Sequence, residues 1–235
     1  DWSGSHNDLA AGVDLYHTDH SRAGISVMHT NSSLDRTENL GEVSMKKKFT
    51  RVSLYGRHDF AGGLHAAGDV FAGGIRIKDT SLVDMSTRTA GVHAEVCVDV
   101  PAGRGTITPL VRAAYAGIRG FTTKDGEGFP FTMKESHYSS FSAGLKASLP
   151  LSPVSLLTAY AGWGIRTGYD IDGTMSDAWN TMDISESGKE HVKTLGIGYR
   201  CDVTLFARLS LSAAREFSSG LHDDWNFQVS AAYKF

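Results

Sequence analysis

The sequence predicts an all-β fold: a transmembrane antiparallel up-and-down β-barrel with 12 strands expected, about 11 of them present in this chain. Three observations predict it. Alternating apolar and polar residues recur along the whole length, most alternating segments run ten to fifteen residues, and the connections between them are long and short in turn.

The segments lie near 9–17, 22–31, 45–59, 64–77, 88–100, 105–119, 138–149, 154–168, 191–203, 206–217 and 226–235. Side chains alternate across a strand, so each row of every second residue marks one face. A strand of a soluble protein is usually about 5–6 residues long. About 10 residues tilted near 45° cross the hydrocarbon layer of a bilayer. Segment length therefore favours a membrane.

Taken in order, 9–17 and 22–31 are joined by the short "TDHS", and a long "SSLDRTENLGEVS" leads to 45–59. There Val52, Leu54, Gly56, His58 and Phe60 alternate with Arg51, Ser53, Tyr55, Arg57 and Asp59. After the short "AGG", segment 64–77 alternates too loosely to assign its faces. A medium connection, "KDTSLVDMST", precedes 88–100, where Val92, Ala94, Val96, Val98 and Val100 oppose His93, Glu95, Cys97 and Asp99. "PAGRG" is short, and "GFTTKDGEGFPFTMKES", which follows 105–119, is long. Phe141, Ala143, Leu145, Ala147 and Leu149 form the apolar row of 138–149, with Lys146 on the other. "PLSP" is short; 154–168 again alternates loosely; "TGYDIDGTMSDAWNTMDISESGKE" is long. In 191–203 the apolar row Leu195, Ile197, Tyr199, Cys201, Val203 opposes Arg200. "VTL" is short, and 206–217 sets Leu209 and Leu211 against Arg208 and Ser210. "SSGLHDDW" is long, and the last segment puts Phe227, Val229, Ala231, Tyr233 and Phe235 in one row. Outer-membrane barrels show this asymmetry, with short turns at one end and longer loops at the other.

Net charge is −3, so no global basic field points to nucleic acid. No apolar run approaches the 18 residues of a membrane helix, and the first residues do not resemble a signal peptide. These features exclude a helical membrane protein but not a barrel, whose strands look unremarkable on a hydropathy average. The two cysteines, Cys97 and Cys201, fall on opposite faces by parity, which predicts free thiols.

An Arg or Lys facing lipid at mid-depth costs about 2–4 kcal/mol, so the polar rows are expected to face inward. Arg57, Glu95, Arg112, Lys146, Arg200 and Arg208 would line a wet lumen, with Gly, Ala and Ser between them leaving room. In a soluble barrel the same row would be the solvated exterior. If Phe235 ends at the periplasm, the chain starts on the outside, and an even strand count calls for one more strand, either before Asp1 or from a neighbouring chain.

"LAAGVDLYHTDHSRAGISVMHTNSS", "TITPLVRAAYAGIRGFTTKDG", "SHYSSFSAGLKASL" and the aromatic ending "AAYKF" occur in that order. With them the sequence resembles the C-terminal translocator β-barrel of Gram-negative autotransporters, the type V secretion proteins. The resemblance spans nearly the whole chain. It implies one outer-membrane domain over 1–235, with a first strand, a linker helix and a passenger upstream. It implies a barrel that mediates export and surface display of that N-terminal passenger. The passenger or linker would sit in the lumen as partner. The barrel-assembly machinery would read Phe227, Tyr233 and Phe235 as an assembly signal.

No catalytic function, cofactor or metal is expected. G-x-S-x-G, H-E-x-x-H and C-x-x-C are missing from the sequence, and "YDIDGT" fails the calcium-loop spacing. His58 and Asp59 are adjacent on a strand and so point to opposite faces. His222, Asp223 and Asp224 lie in a loop rich in polar residues. "KKK" at 46–48 is either a solvated rim or a contact with anionic lipopolysaccharide. The rival readings are a free-standing porin or adhesin, and a barrel protease or phospholipase with a site at the rim.

Overall fold

The structure is a computed structural model describing residues 2–38, 41–79, 84–124, 129–168, 171–176, 181–186, 188–204, 207–219 and 224–233. Its strands are β1 (Trp2–His17), β2 (Ser21–Glu38), β3 (Gly41–Asp59), β4 (Leu64–Asp79), β5 (Asp84–Val98), β6 (Val100–Ala102), β7 (Gly105–Ile118), β8 (Phe121–Lys124), β9 (Pro130–Met133), β10 (Ser136–Ser152), β11 (Ser155–Thr167), β12 (Ile171–Ser176), β13 (Thr181–Glu186), β14 (Lys189–Asp202), β15 (Ala207–Ser218) and β16 (Asp224–Tyr233).

Eleven of these strands form the wall of one curled antiparallel sheet, in the order β1-β2-β3-β4-β5-β7-β10-β11-β14-β15-β16, and the short β6 joins the same sheet by pairing with β7. The wall strands coincide with the eleven predicted segments, and each pairs with its chain neighbour, as in an up-and-down wall. Among the described residues the edge strands β1 and β16 have one neighbour each. Short connections make tight turns. At 61–63 the chain takes a single 3-10 turn, where Gly62 and Gly63 adopt φ of 75° and 79°, a region that favours glycine.

Register fixes the two faces, because residues paired across strands project to the same side. One apolar row runs Val13, Ile25, Leu54, Val70, Val92 and Tyr115, each paired with the next. That row ends in the polar Ser139, Thr167 and Lys189, while a neighbouring row on the same face runs Leu145, Ala161 and Leu195. This face is exposed: Leu9 is 74% accessible, Leu54 57% and Phe227 74%. The buried polar residues Thr30, Ser53, Thr89, Thr108 and Glu190 all belong to the other face. A water-soluble sandwich has the opposite burial pattern.

The register also settles the two loosely patterned segments. In β4 the polar face carries His65 and Asp69 but also Phe71, Ile75 and Ile77, while Arg76 and Lys78 share the apolar face. In β11 the polar face holds Tyr160, Gly162, Gly164 and Arg166, and Trp163 and Ile165 lie opposite. Cys97 and Cys201 are free and lie on opposite faces, as parity predicts.

Three connections differ from expectation. The predicted long loop at 32–44 is largely strand, because β2 runs to Glu38 and pairs with β3 from Gly41. The two longest connections carry strands of their own, which pair as a second, four-stranded sheet in the order β13-β12-β9-β8. Four to six residues per strand, interrupted by turn residues, leave too short an alternation to recognise.

Candidate luminal face

The polar face is held by ion pairs and hydrogen bonds between neighbouring strands. Arg57, Ala67, Glu95 and Arg112 occupy one paired row across β3, β4, β5 and β7. Arg112 Nε donates to Glu95 Oε2, and its guanidinium lies 5.4 Å from the Tyr160 ring centroid. Arg57 Nε donates to Asp59 Oδ1 at 2.7 Å. Three of the six predicted lining residues are therefore brought to one level.

The other three are spread. Lys146 stands between Thr108 and Tyr160 in register. Arg200 is exposed opposite Ser210, and Arg208 Nε donates to Asp202 at 2.6 Å at the short-turn end of β14 and β15. The six share one face but form no single cluster.

Sequence reasoning missed a network beside Arg57. His65 Nδ1 lies 2.8 Å from Asp59 Oδ1 and its Nε2 lies 2.9 Å from Asp99 Oδ2. Thr108, 1% accessible, donates to Asp99 Oδ1 at 2.6 Å. His65 sits in the loosely patterned β4, which is why periodicity did not find it. Both its ring nitrogens are occupied by carboxylates, and the Thr108 hydroxyl bonds Asp99 rather than the imidazole. This is not a nucleophile poised on a base; it is a brace across β3, β4 and β7. His58, by contrast, faces the apolar side, its ring 4.3 Å from Phe60.

A second missed set lies toward the long-connection end. Arg166 donates to Glu216 Oε2 at 2.7 Å and lies 3.9 Å from Glu190 Oε2, and Ser218 bonds Glu190. Two aromatic side chains pack against glycines on this face. Phe71 lies against Gly91 with Arg51 5.2 Å from its centroid, and Tyr160 lies against Gly144 with Arg112 above. A Cβ at Gly144 would stand 2.7 Å from the Tyr160 ring, so only glycine fits there without movement.

On the apolar face, Phe227 is paired with Ala213 and stacks on Trp225 at 5.8 Å. Tyr233 ends β16 opposite Ala207. Phe235 and the loop residues His222 and Asp223 lie outside the described residues. Among the described residues no group of His, Cys, Asp and Glu is placed to hold a metal ion.

The family described as autotransporter beta-domain matches this sequence over residues 1–212. The chain belongs to the autotransporter β-domain family. Solved structures agree in fold. The β-domain of the Bordetella autotransporter BrkA has a TM-score of 0.73 at 15% identity, covering 100% of this chain and 92% of that one. The transport unit of AIDA-I from Escherichia coli gives 0.72 at 16%, covering 100% and 83%. The translocator domain of NalP from Neisseria meningitidis gives 0.66 at 16%, covering 100% and 81%. No curated protein sequence matches. This autotransporter β-domain is thus an outer-membrane translocator and anchor barrel, and barrels of its family are transport devices that carry a passenger.

Proposed function

We propose that the polar face lines an aqueous lumen holding the passenger's linker, and that Arg57, Glu95, Arg112, Lys146, Arg200 and Arg208 hydrate and grip that segment. The inverted burial supports this: apolar side chains are exposed on one face, while charged pairs and buried hydroxyls occupy the other. Export then requires no chemical step from the barrel itself.

Open strand edges leave backbone groups unpaired, which hydrocarbon does not tolerate. We assign closure of the β1 and β16 edges to a twelfth strand. The whole of 1–235 then acts as one barrel domain whose apolar face meets outer-membrane lipid and lipopolysaccharide. The terminal segment, with Phe227 on the outward row of β16 and Tyr233 and Phe235 after it in the sequence, is the part the barrel-assembly machinery reads.

The test is passenger export together with single-channel conductance, measured on Arg57→Gln/Arg112→Gln/Arg200→Gln/Arg208→Gln in the full-length protein. Slower export and altered ion selectivity are expected in barrels that still assemble. Normal export with unchanged conductance contradicts the luminal assignment.

A further inference from the structure

Charge on the apolar face is distributed unequally along the strands. Lys46 and Lys48 of β3, Arg76 and Lys78 of β4, and Arg88 of β5 share its outward rows, all toward the long-connection end. Further round, Lys193 and Arg215 repeat the sign at the same end. At the opposite end the outward strand rows hold residues such as Leu64, Val98, Leu149, Tyr199 and Leu209, with no Asp, Glu, Lys or Arg among the described ones.

Within the β3–β5 group, like charges stand directly opposite one another: Lys48 pairs in register with Arg76, and Lys46 with Lys78. Such pairs are destabilising unless an anion lies between them. Asp84 serves two of the cations, 2.7 Å from Arg76 Nη2 and 3.1 Å from Lys78 Nζ. Lys46, Lys48 and Arg88 are exposed, and the register brings Asp35 and Glu42 to the same outward rows at this end. Immediately along the same rows begin the apolar side chains Val52 and Leu54, Val70 and Val92. A ligand fitting this surface has anionic groups above and hydrocarbon below.

We propose that Lys46, Lys48, Arg76, Lys78 and Arg88 form a binding site for the phosphate groups of an outer-leaflet phosphorylated glycolipid of lipid A chemistry. Its acyl chains lie along the apolar rows beneath. Charge complementarity selects this occupant: the outward strand cations lie at the long-connection end, which the loop asymmetry of outer-membrane barrels assigns to the outer leaflet. The site deepens the lipid-facing reading of this surface given above, and rests on it.

The experiment uses the full-length protein assembled in outer membranes, extracted in mild detergent and analysed by mass spectrometry for lipid A per barrel. The variants are Lys46→Gln/Lys48→Gln/Lys78→Gln, the milder Lys46→Gln/Lys48→Gln, and Arg104→Gln in the turn at the opposite end. Each lysine near a membrane surface contributes enough for retention to fall roughly ten-fold or more in the triple variant, with the pair intermediate and Arg104→Gln unchanged. In vesicles, bisphosphorylated lipid A is expected to outcompete phosphatidylglycerol at equal charge. Unchanged retention in either lysine variant, with heat-modifiable migration showing an assembled barrel, overturns the site alone. Equal competition by phosphatidylglycerol also overturns it, reducing the patch to general anion attraction. Failure of the wild-type protein to enter membranes at all sinks the lipid-facing reading, and the site with it.

Discussion

Arg112 reaches across the β5–β7 pair to Glu95 while its guanidinium faces the Tyr160 ring, so one side chain couples β5, β7 and β11. Both partners are partly exposed, with 41% and 24% of their side chains accessible. Exposed ion pairs of this kind contribute about 0.2–1 kcal/mol. Glu95→Gln is expected to cost that much in urea unfolding of the folded barrel. Arg112→Leu should cost more, since it also loses the ring contact, worth about 0.5–1 kcal/mol. The exchanged pair Glu95→Arg/Arg112→Glu should recover part of the loss; no recovery would mean that the pairing itself contributes nothing.

Thr108→Val keeps the shape of a buried side chain and removes its donor. Asp99 then loses one hydrogen bond, at a cost of about 1–3 kcal/mol. Equilibrium unfolding should show the loss, and Thr108→Ser should restore most of it. A valine variant as stable as wild type would show that the brace through His65 does not depend on this hydroxyl.

Gly144→Ala should destabilise by about 1–3 kcal/mol, because the new methyl has nowhere to go. Adding Tyr160→Ala is expected to recover only part, since the Ala161 carbonyl oxygen remains 2.8 Å from the added Cβ. Full recovery in the double variant would place the whole conflict at the ring.

Asp84 lies beyond the apolar band, which in β5 begins at Ala90, at the mouth rather than in the spanning part. Hydrogen bonds from Arg76 and Lys78 hold its carboxyl down at about 2. A carboxylate with a lowered value stabilises the folded state above its ordinary value and loses that contribution as pH falls through the lowered one. Asp84→Asn should therefore differ from wild type at pH 5 to 8 by a constant amount, with the difference vanishing between about pH 4 and 2. A difference that changes between pH 8 and 6 would contradict this pairing.

Deleting Phe235 should lower the amount of assembled barrel, read as heat-modifiable migration on a gel. Phe227→Ser, on the outward row of β16, should do so more weakly. Unchanged assembly in both would remove the row's role as a signal.

The wall strands were legible because nine segments keep most of their apolar residues to one row, with exceptions such as Leu110 and Val192 on the polar face. Leu145 and Lys146 suffice to orient β10, and Glu95 with Val96 to orient β5. The two exceptions are instructive. Phe71, Ile75 and Ile77 face the polar side of β4 while Arg76 and Lys78 face the other, and Tyr160 lies flat among glycines in β11. Aromatic cover over a bare backbone and cations at the mouth both break the two-residue period. His65 and Arg166 lie in these strands, so the brace and the outer ion network went unseen. Pairing of Glu95 with Arg112 depends on register between strands, which no single segment records.

The small second sheet joins β8 and β9 from one connection to β12 and β13 from the next, through the pairs of Gly173 with Met133 and Met175 with Phe131. Two surface segments some forty residues apart are thereby fastened into one plate. An antibody against it would recognise a composite epitope, and a protease that nicked either segment would leave both cut ends paired within the plate.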